Sequence, residues 1–226
     1  MRILTIDTST TVEAAAVVDG ERVLSERAIL AGRGRADELV AAVAGALSDA
    51  STRLADLDGV AVSVGPGRFT GLRVGLATAK GLTAATGLPL LPVPTLEALA
   101  ASAFDPGERG ETDVSLVCPM LDARRGEVYA ALFRRGAAME RVLADGAWDP
   151  IEFAARAGEV AGGETLTLVG TGAVLYASEL AHALGAAALF PEPSVERPTP
   201  VAIAAVGVER GPADVSSVVP VYLRGV

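Results

Sequence analysis

Arg2-Ile3-Leu4-Thr5-Ile6-Asp7-Thr8-Ser9-Thr10-Thr11-Val12-Glu13-Ala14-Ala15-Ala16-Val17-Val18-Asp19-Gly20 opens the chain with two apolar runs around a cluster of turn formers. Arg2 to Ile6 reads as a strand, Asp7 to Thr11 as a turn, and Val12 to Val18 as a returning strand. Asp19-Gly20 then supplies a tight hairpin turn, and Val23 to Leu30 a third strand. Three strands joined by short turns make an antiparallel meander, because a parallel pair would need a long crossover.

Beyond the meander the pattern changes to alternation. Gly32-Arg33-Gly34 reads as a loop, followed by a helix over Ala36 to Ala50 with Leu39, Val43, Ala46 and Leu47 on one face. Gly59 to Val64 is a short continuous apolar run, as expected of a strand covered on both faces. A second helix runs from about Thr70 to Thr86, Leu88 to Val93 is a strand, and Thr95 to Ala103 a third helix. Asp105-Pro106-Gly107-Glu108-Arg109-Gly110 has no apolar period and is the expected lobe boundary, dividing residues 1–104 from 105–226, with packing of the last helix back on the first lobe as an option. The order then partly repeats: strands Val114 to Met120 and Glu127 to Arg134 flank a turn at Arg124-Arg125-Gly126. A helix follows from Pro150 to Ala157, then a strand Leu166 to Val169, a Gly170-Thr171-Gly172 turn, and helices over Tyr176 to Leu184 and Val201 to Val208. Strands first and helices later, in both halves, predict a duplicated α/β architecture.

The 226 residues carry 19 basic and 28 acidic side chains, a net charge of −9, and half of them are hydrophobic. That composition excludes a disordered chain, and a surface of this sign disfavours independent nucleic-acid binding. No apolar run of about 18 residues occurs, and Asp7 falls too early for a signal-peptide apolar region, so a cytoplasmic protein with no membrane association is expected. Only Lys80 among the basic residues is lysine. Cys118, the single cysteine, cannot form an internal disulfide, and its apolar neighbours predict a buried thiol. His182, the single histidine, lies in a helix-like run and reads as structural. The lone histidine could in principle serve a triad, but no G-x-S-x-G elbow offers a nucleophile, and with one each of His and Cys histidine-based metal hydrolysis is nearly excluded.

Two segments could carry chemistry. Asp7-Thr8-Ser9 combines a carboxylate, hydroxyls and turn N–H groups, the ingredients of a Mg²⁺-nucleotide site, although such turns are more often capping devices. Gly65-Pro66-Gly67-Arg68-Phe69-Thr70-Gly71-Leu72-Arg73-Val74-Gly75 places a glycine-rich loop between a strand and a helix, which suits anions. It matches neither G-x-G-x-x-G nor the P-loop. Gly71, Gly75 and Gly81 lie within the helix at about 0.8–1 kcal/mol each relative to alanine, and such glycines also predict close approach of another backbone.

These blocks, with Leu121-Asp122-Ala123-Arg124-Arg125-Gly126-Glu127-Val128-Tyr129, Val169-Gly170-Thr171-Gly172 and Pro220-Val221-Tyr222-Leu223-Arg224, follow in an order that resembles the TsaB (YeaZ) family over nearly the whole chain. The resemblance implies a two-lobed actin-like ATPase (ribonuclease H-like) α/β fold, with mixed sheets and flanking helices. It also implies a non-catalytic scaffold or activator role beside a TsaD-like catalytic paralogue and a TsaE-like ATPase. That assembly transfers a threonylcarbamoyl group to the adenosine beside the anticodon of tRNAs reading ANN codons, with tRNA reached only through the complex. No intrinsic cofactor is expected, beyond weak ATP or ADP and Mg²⁺ binding in the assembly at a vestigial site of Asp7, Thr8, Ser9, Gly65 and Gly67. The paralogue's metal-binding His-x-x-x-His pair aligns with Thr95 and Leu99, which cannot replace it. A His-Ser pair common in the family is replaced by Arg35-Ala36.

The resemblance further favours a partner surface on the first two helices. Leu39, Val43 and Leu47 form one stripe; Gly71, Gly75 and Ala79 form a row of small residues flanked by Leu72 and Leu76. Such faces suit a four-helix contact with the paralogue, or a homodimer when the paralogue is absent. The competing expectation is burial against the protein's own sheet. The alternatives for function are a stand-alone actin-fold ATPase or phosphotransferase, and a peptidase.

Overall fold

The computed structural model describes residues 1–31, 36–104 and 114–224. The expected loop at Gly32–Gly34, with Arg35, and the expected boundary at Asp105–Gly110 lie outside them. The chain divides into two compact units, Met1–Ala98 with Thr199–Tyr222, and Leu99–Pro198 with Leu223–Val226. The division therefore falls between Ala98 and Leu99, where the sequence put it after residue 104.

The first unit is built on β1 (Arg2–Asp7), β2 (Val12–Asp19), β3 (Arg22–Leu30), β4 (Gly59–Gly65) and β5 (Leu90–Pro94). The sheet order is β3-β2-β1-β4-β5; the meander is antiparallel, while β1, β4 and β5 run parallel. The parallel connections need crossovers, and α1 (Ala36–Asp49) and α2 (Phe69–Thr86) provide them. They cover one sheet face, where Leu39, Val43, Ala46, Leu76 and Ala79 pack with Leu4, Ile6, Val60 and Val62. Every residue of β4 is buried, as its unbroken apolar run requires. The opposite face receives α7 (Pro200–Arg210): a Cβ on Gly207 would stand 3.2 Å from Ala61, Leu91 and Val93, so glycine lets this helix lie close on the strands.

α3 (Thr95–Phe104) links to the second unit, in which β6 (Leu116–Arg124), β7 (Glu127–Arg134), β8 (Glu140–Trp148), β9 (Leu166–Val169) and β10 (Ala188–Leu189) form a sheet of order β10-β9-β6-β7-β8. Read from β8, this repeats the first sheet: three antiparallel strands, then two more parallel to the first of them. α4 (Pro150–Ala161) starts at Asp149, whose side chain accepts from the N–H groups of Ile151 and Glu152, and it stops at Gly162 with φ 59°. Its Phe153, Ala154 and Ala157, with Leu180 of α6 (Ala177–Leu184), pack with Leu116, Cys118 and Met120. Two elements depart from the expected order. β8 follows β7 where no strand was read, and Gly170-Thr171-Gly172 caps and begins α5 (Thr171–Leu175) in place of a plain turn. No helix among the described residues is long and apolar enough to cross a membrane.

Candidate functional site

β1 carries Asp7 to the carboxyl end of the parallel strands, where an open α/β sheet places its ligands. The carboxylate turns back on its own backbone, with Oδ1 accepting from the N–H of Ser9 at 3.1 Å. Asp7, Thr8 and Ser9 are 1 %, 0 % and 3 % exposed. Thr8 and Ser9 are covered by α2 and the loop before it. Cβ atoms on Gly71 and Gly75 would overlap the carbonyl oxygen and Oγ1 of Thr8, and one on Gly67 would stand 2.6 Å from the Ser9 carbonyl oxygen. The Arg68 N–H donates to that same Ser9 oxygen at 2.8 Å. The Arg68 guanidinium donates to Thr10 O at 3.1 Å and pairs with the nearly buried Glu13 at 3.4 Å.

The start of α2, where an anion would be received, is thus taken up by the β1–β2 turn. Oγ1 of Thr8 and Oγ of Ser9 are shielded from solvent and form no hydrogen bond among the described residues. A polyphosphate could reach them only by displacing the glycine face of α2. The structure brings Ser9 and Gly67 together, with each filling the space beside the other. Gly65, with φ 120°, is covered separately: a side chain there would overlap the Val221 carbonyl oxygen, and the Val221 N–H donates to Val64 O at 2.7 Å. Beside it, Tyr222 stacks on Phe69 with ring centroids 5.1 Å apart. Arg73 lays its guanidinium 3.8 Å over Phe69 and donates from Nε to Tyr222 Oη at 3.0 Å.

The stripe expected at a partner seam is a correction. Leu39, Val43, Leu72, Leu76 and Ala79 are at most 4 % exposed within the isolated chain, Gly71 and Gly75 are buried, and Leu47 packs at the rim of the same core. The physical reason is the face of β1 and β4: Leu4, Ile6, Val60 and Val62 require an apolar cover, and these helices supply it. What α1 and α2 leave outside is a different set: Val40, Ala41 and Ala44 on α1, and Phe69, Arg73, Ala77, Gly81 and Ala84 on α2.

Thr95 and Leu99 are both fully buried, and Leu99 lies against Gly170, whose Cβ would stand 2.9 Å from Leu99 Cδ2. Among the described residues, no group of three or more His, Cys, Asp or Glu side chains is placed to hold a metal ion. Cys118 is sealed in the core, where burial pushes its thiol pKa up, and His182 is exposed on α6.

Two features of the second unit escaped the sequence reading. One is a cavity of about 190 Å³ between β9, α5 and the segment around Phe190, lined by Val169, Gly170, Val174, Phe190 and Val195. Its sequence signal is Gly170: φ is 100°, and a side chain would overlap the Met120 carbonyl oxygen. The other is the β6–β7 turn, where Arg124 and Arg125 have positive φ.

A family model described as TsaD, tRNA N6-adenosine threonylcarbamoyltransferase, matches residues 29–187. The tRNA threonylcarbamoyladenosine biosynthesis protein TsaB of Bacillus subtilis is 29 % identical over 225 residues, which cover 99 % of this chain and 94 % of that protein. An uncharacterized protein of Mycobacterium tuberculosis is 36 % identical over 227 residues, covering 98 % and 91 %. Among solved structures, a Pseudomonas aeruginosa protein described as similar to peptidase YEAZ superposes with a TM-score of 0.78 at 25 % identity, covering 99 % of both chains.

Proposed function

Since the chain belongs to the TsaB (YeaZ) branch of the threonylcarbamoyltransferase family and acts in tRNA threonylcarbamoyladenosine formation, we propose that it does so as a non-catalytic subunit supporting a TsaD-like transferase. The observation that carries this reading is the closure of the β1–β2 turn. In an actin-fold phosphotransferase the turn must present its acid and N–H groups to a metal-bound phosphate. Here Asp7, Thr8 and Ser9 are buried, Thr8 beneath the glycine face of α2 and Ser9 against Gly67 of the loop before it. Thr95 and Leu99, at the paralogue's metal-binding positions, support the same conclusion, because neither side chain replaces imidazole. On this reading nucleotide turnover in the assembly comes from a TsaE-like ATPase, and any ATP or ADP and Mg²⁺ at the β1–β2 turn is bound weakly and only within the complex.

The partner meets the outward faces of α1 and α2. These offer small residues (Ala44, Ala77, Gly81) that permit close helix approach, bordered by exposed Val40 and Phe69, which are 54 % and 44 % exposed. A second copy of the chain uses the same face when the TsaD-like subunit is absent. The test is reconstitution with TsaD-like and TsaE-like proteins, threonylcarbamoyl-adenylate supply and tRNA. Modification should require this chain, and Asp7→Ala should stay within a few-fold of wild type if the variant folds. Modification by the chain alone, or ATP turnover by the chain alone that Asp7→Ala abolishes, overturns the reading.

A further inference from the structure

β6 and β7 are joined by Arg125-Gly126, set between the paired residues Arg124 and Glu127. Arg125 has φ 57° and Gly126 φ 81°, both positive as a two-residue type I′ turn demands, and asparagine is the preferred residue at the first of these positions. Arg124, just before, has φ 63° and follows a register shift after Asp122, a bulge position that favours glycine. Two consecutive left-handed positions are therefore held by long cationic side chains, at a conformational cost that asparagine or glycine avoids.

The surroundings say what those side chains are free to do. Arg124, 72 % exposed, pairs with Asp122 at 3.1 Å. Arg224 donates to the carbonyl oxygens of Ala123 and Arg124 at 3.2 and 3.4 Å and pairs with Glu127, so it stiffens the turn from behind. Arg125 is exposed and forms no ion pair or hydrogen bond among the described residues. Three guanidiniums thus gather against two carboxylates at one hairpin tip, in a chain of net charge −9. By strand order this turn is the second unit's counterpart of the β1–β2 turn, yet it exposes bases where the first unit buries an acid.

We propose that the β6–β7 tip, with Arg125 as the contacting side chain and Arg124 and Arg224 in support, binds the phosphodiester backbone of tRNA. The inference rests on the reading above that the chain works inside a tRNA-modifying assembly. A guanidinium fork matches phosphate oxygens in geometry and charge, and an acidic chain lying beside tRNA needs a local positive contact. A hairpin tip held from behind by Arg224 projects that contact without reshaping the sheet.

The experiment uses the complex with the TsaD-like subunit and follows tRNA affinity across a salt series for wild type, Arg125→Asn and Arg125→Lys. Asparagine fits the left-handed position, so this variant should fold with an unchanged or higher thermal midpoint. Its tRNA affinity should fall about three- to tenfold at low salt, and the slope of log affinity against log salt should drop by about one. Arg125→Lys should keep most of both. Affinity for the TsaD-like subunit should not change. Wild-type affinity and slope in Arg125→Asn overturn the proposal, as does loss of subunit association in its place, which would assign the tip to an acidic protein surface. Failure of the wider reading looks different: modification would then not require the chain at all, whatever residue 125 is.

Discussion

Gly75 leaves the room that Thr8 occupies: a Cβ at Gly75 would overlap Thr8 Oγ1, while one at Gly71, a turn earlier, would overlap the Thr8 carbonyl oxygen. The two obstacles differ in kind, and this separates their expected consequences. Gly71→Ala meets backbone that cannot rotate away and should lose about 2 kcal/mol or more, even after the helix-propensity gain of about 1 kcal/mol. Gly75→Ala meets a side chain, so Thr8→Ala should relieve much of its cost but none of the cost of Gly71→Ala. Gly81, with open space around its Cα, should gain up to about 1 kcal/mol on change to alanine. Urea unfolding of the single and double variants decides each point; equal rescue of both glycine variants by Thr8→Ala contradicts the assignment.

Burial of α1's apolar stripe changes which substitution tests the partner surface. Val43 is 4 % exposed, so Val43→Glu places an unpaired charge in the core. A loss of about 3–5 kcal/mol is a large share of a domain's stability, and circular dichroism should report an unfolded or strongly destabilised chain. Ala77→Glu on the outward face of α2 should leave melting unchanged and weaken association with the TsaD-like subunit by about a hundredfold, roughly 3 kcal/mol. A folded Ala77→Glu variant that binds as wild type places the interface elsewhere.

Cys118 is fully buried, and burial raises its thiol pKa, so almost no thiolate exists at neutral pH. Native protein at pH 8 should react with a disulfide reagent only through unfolding, whereas urea-unfolded protein should react at once. Rapid labelling without denaturant would show that β6 opens more readily than its packing implies.

Asp56 offers a pH signature. Hydrogen bonds from Arg53 (Nη2 to Oδ1 at 2.7 Å, Nε to Oδ2 at 3.0 Å) lower its pKa to about 2, against about 3.9 in an unfolded chain. Because the folded value is the lower one, the contribution is complete above about pH 4 and disappears as pH falls toward 2. Solvent screening keeps it small. Urea midpoints of wild type and Asp56→Asn should differ at pH 6 and converge near pH 2; a gap that stays constant removes the ion pair as its cause.

Most of the framework is legible in the residues because periodicity reports burial directly. The meander of β1 to β3, the continuous run of β4 and the helical faces of α1 and α2 all follow from it. Periodicity does not name what does the burying, which is why Leu39 and Val43 could be assigned to a partner when Leu4 and Ile6 claim them. The glycines of α2 were informative on the same physical ground: a helix that accepts the cost of Gly71 and Gly75 has something pressed against it, here Thr8. β8 was missed because Glu140-Arg141-Val142-Leu143-Ala144-Asp145-Gly146-Ala147-Trp148 is a sheet-edge strand with hardly a buried position, so neither alternation nor an apolar run marks it. The left-handed arginines were invisible for the opposite reason. Arg-Arg-Gly announces a turn, but the bulge at Arg124 depends on how β6 and β7 register.

The second unit sits inside the sequence of the first, between Ala98 and Thr199. During translation, nearly everything the inner unit needs is synthesised before α7. The outer unit must wait, with Ala61, Leu91 and Val93 uncovered until Gly207 arrives about a hundred residues after β5. For that interval the nascent chain displays a bare apolar sheet face of the kind that chaperones bind and that promotes aggregation. A stop codon just after Pro198 should therefore yield insoluble product that retains nearly all of the inner unit, rather than a serviceable truncated protein.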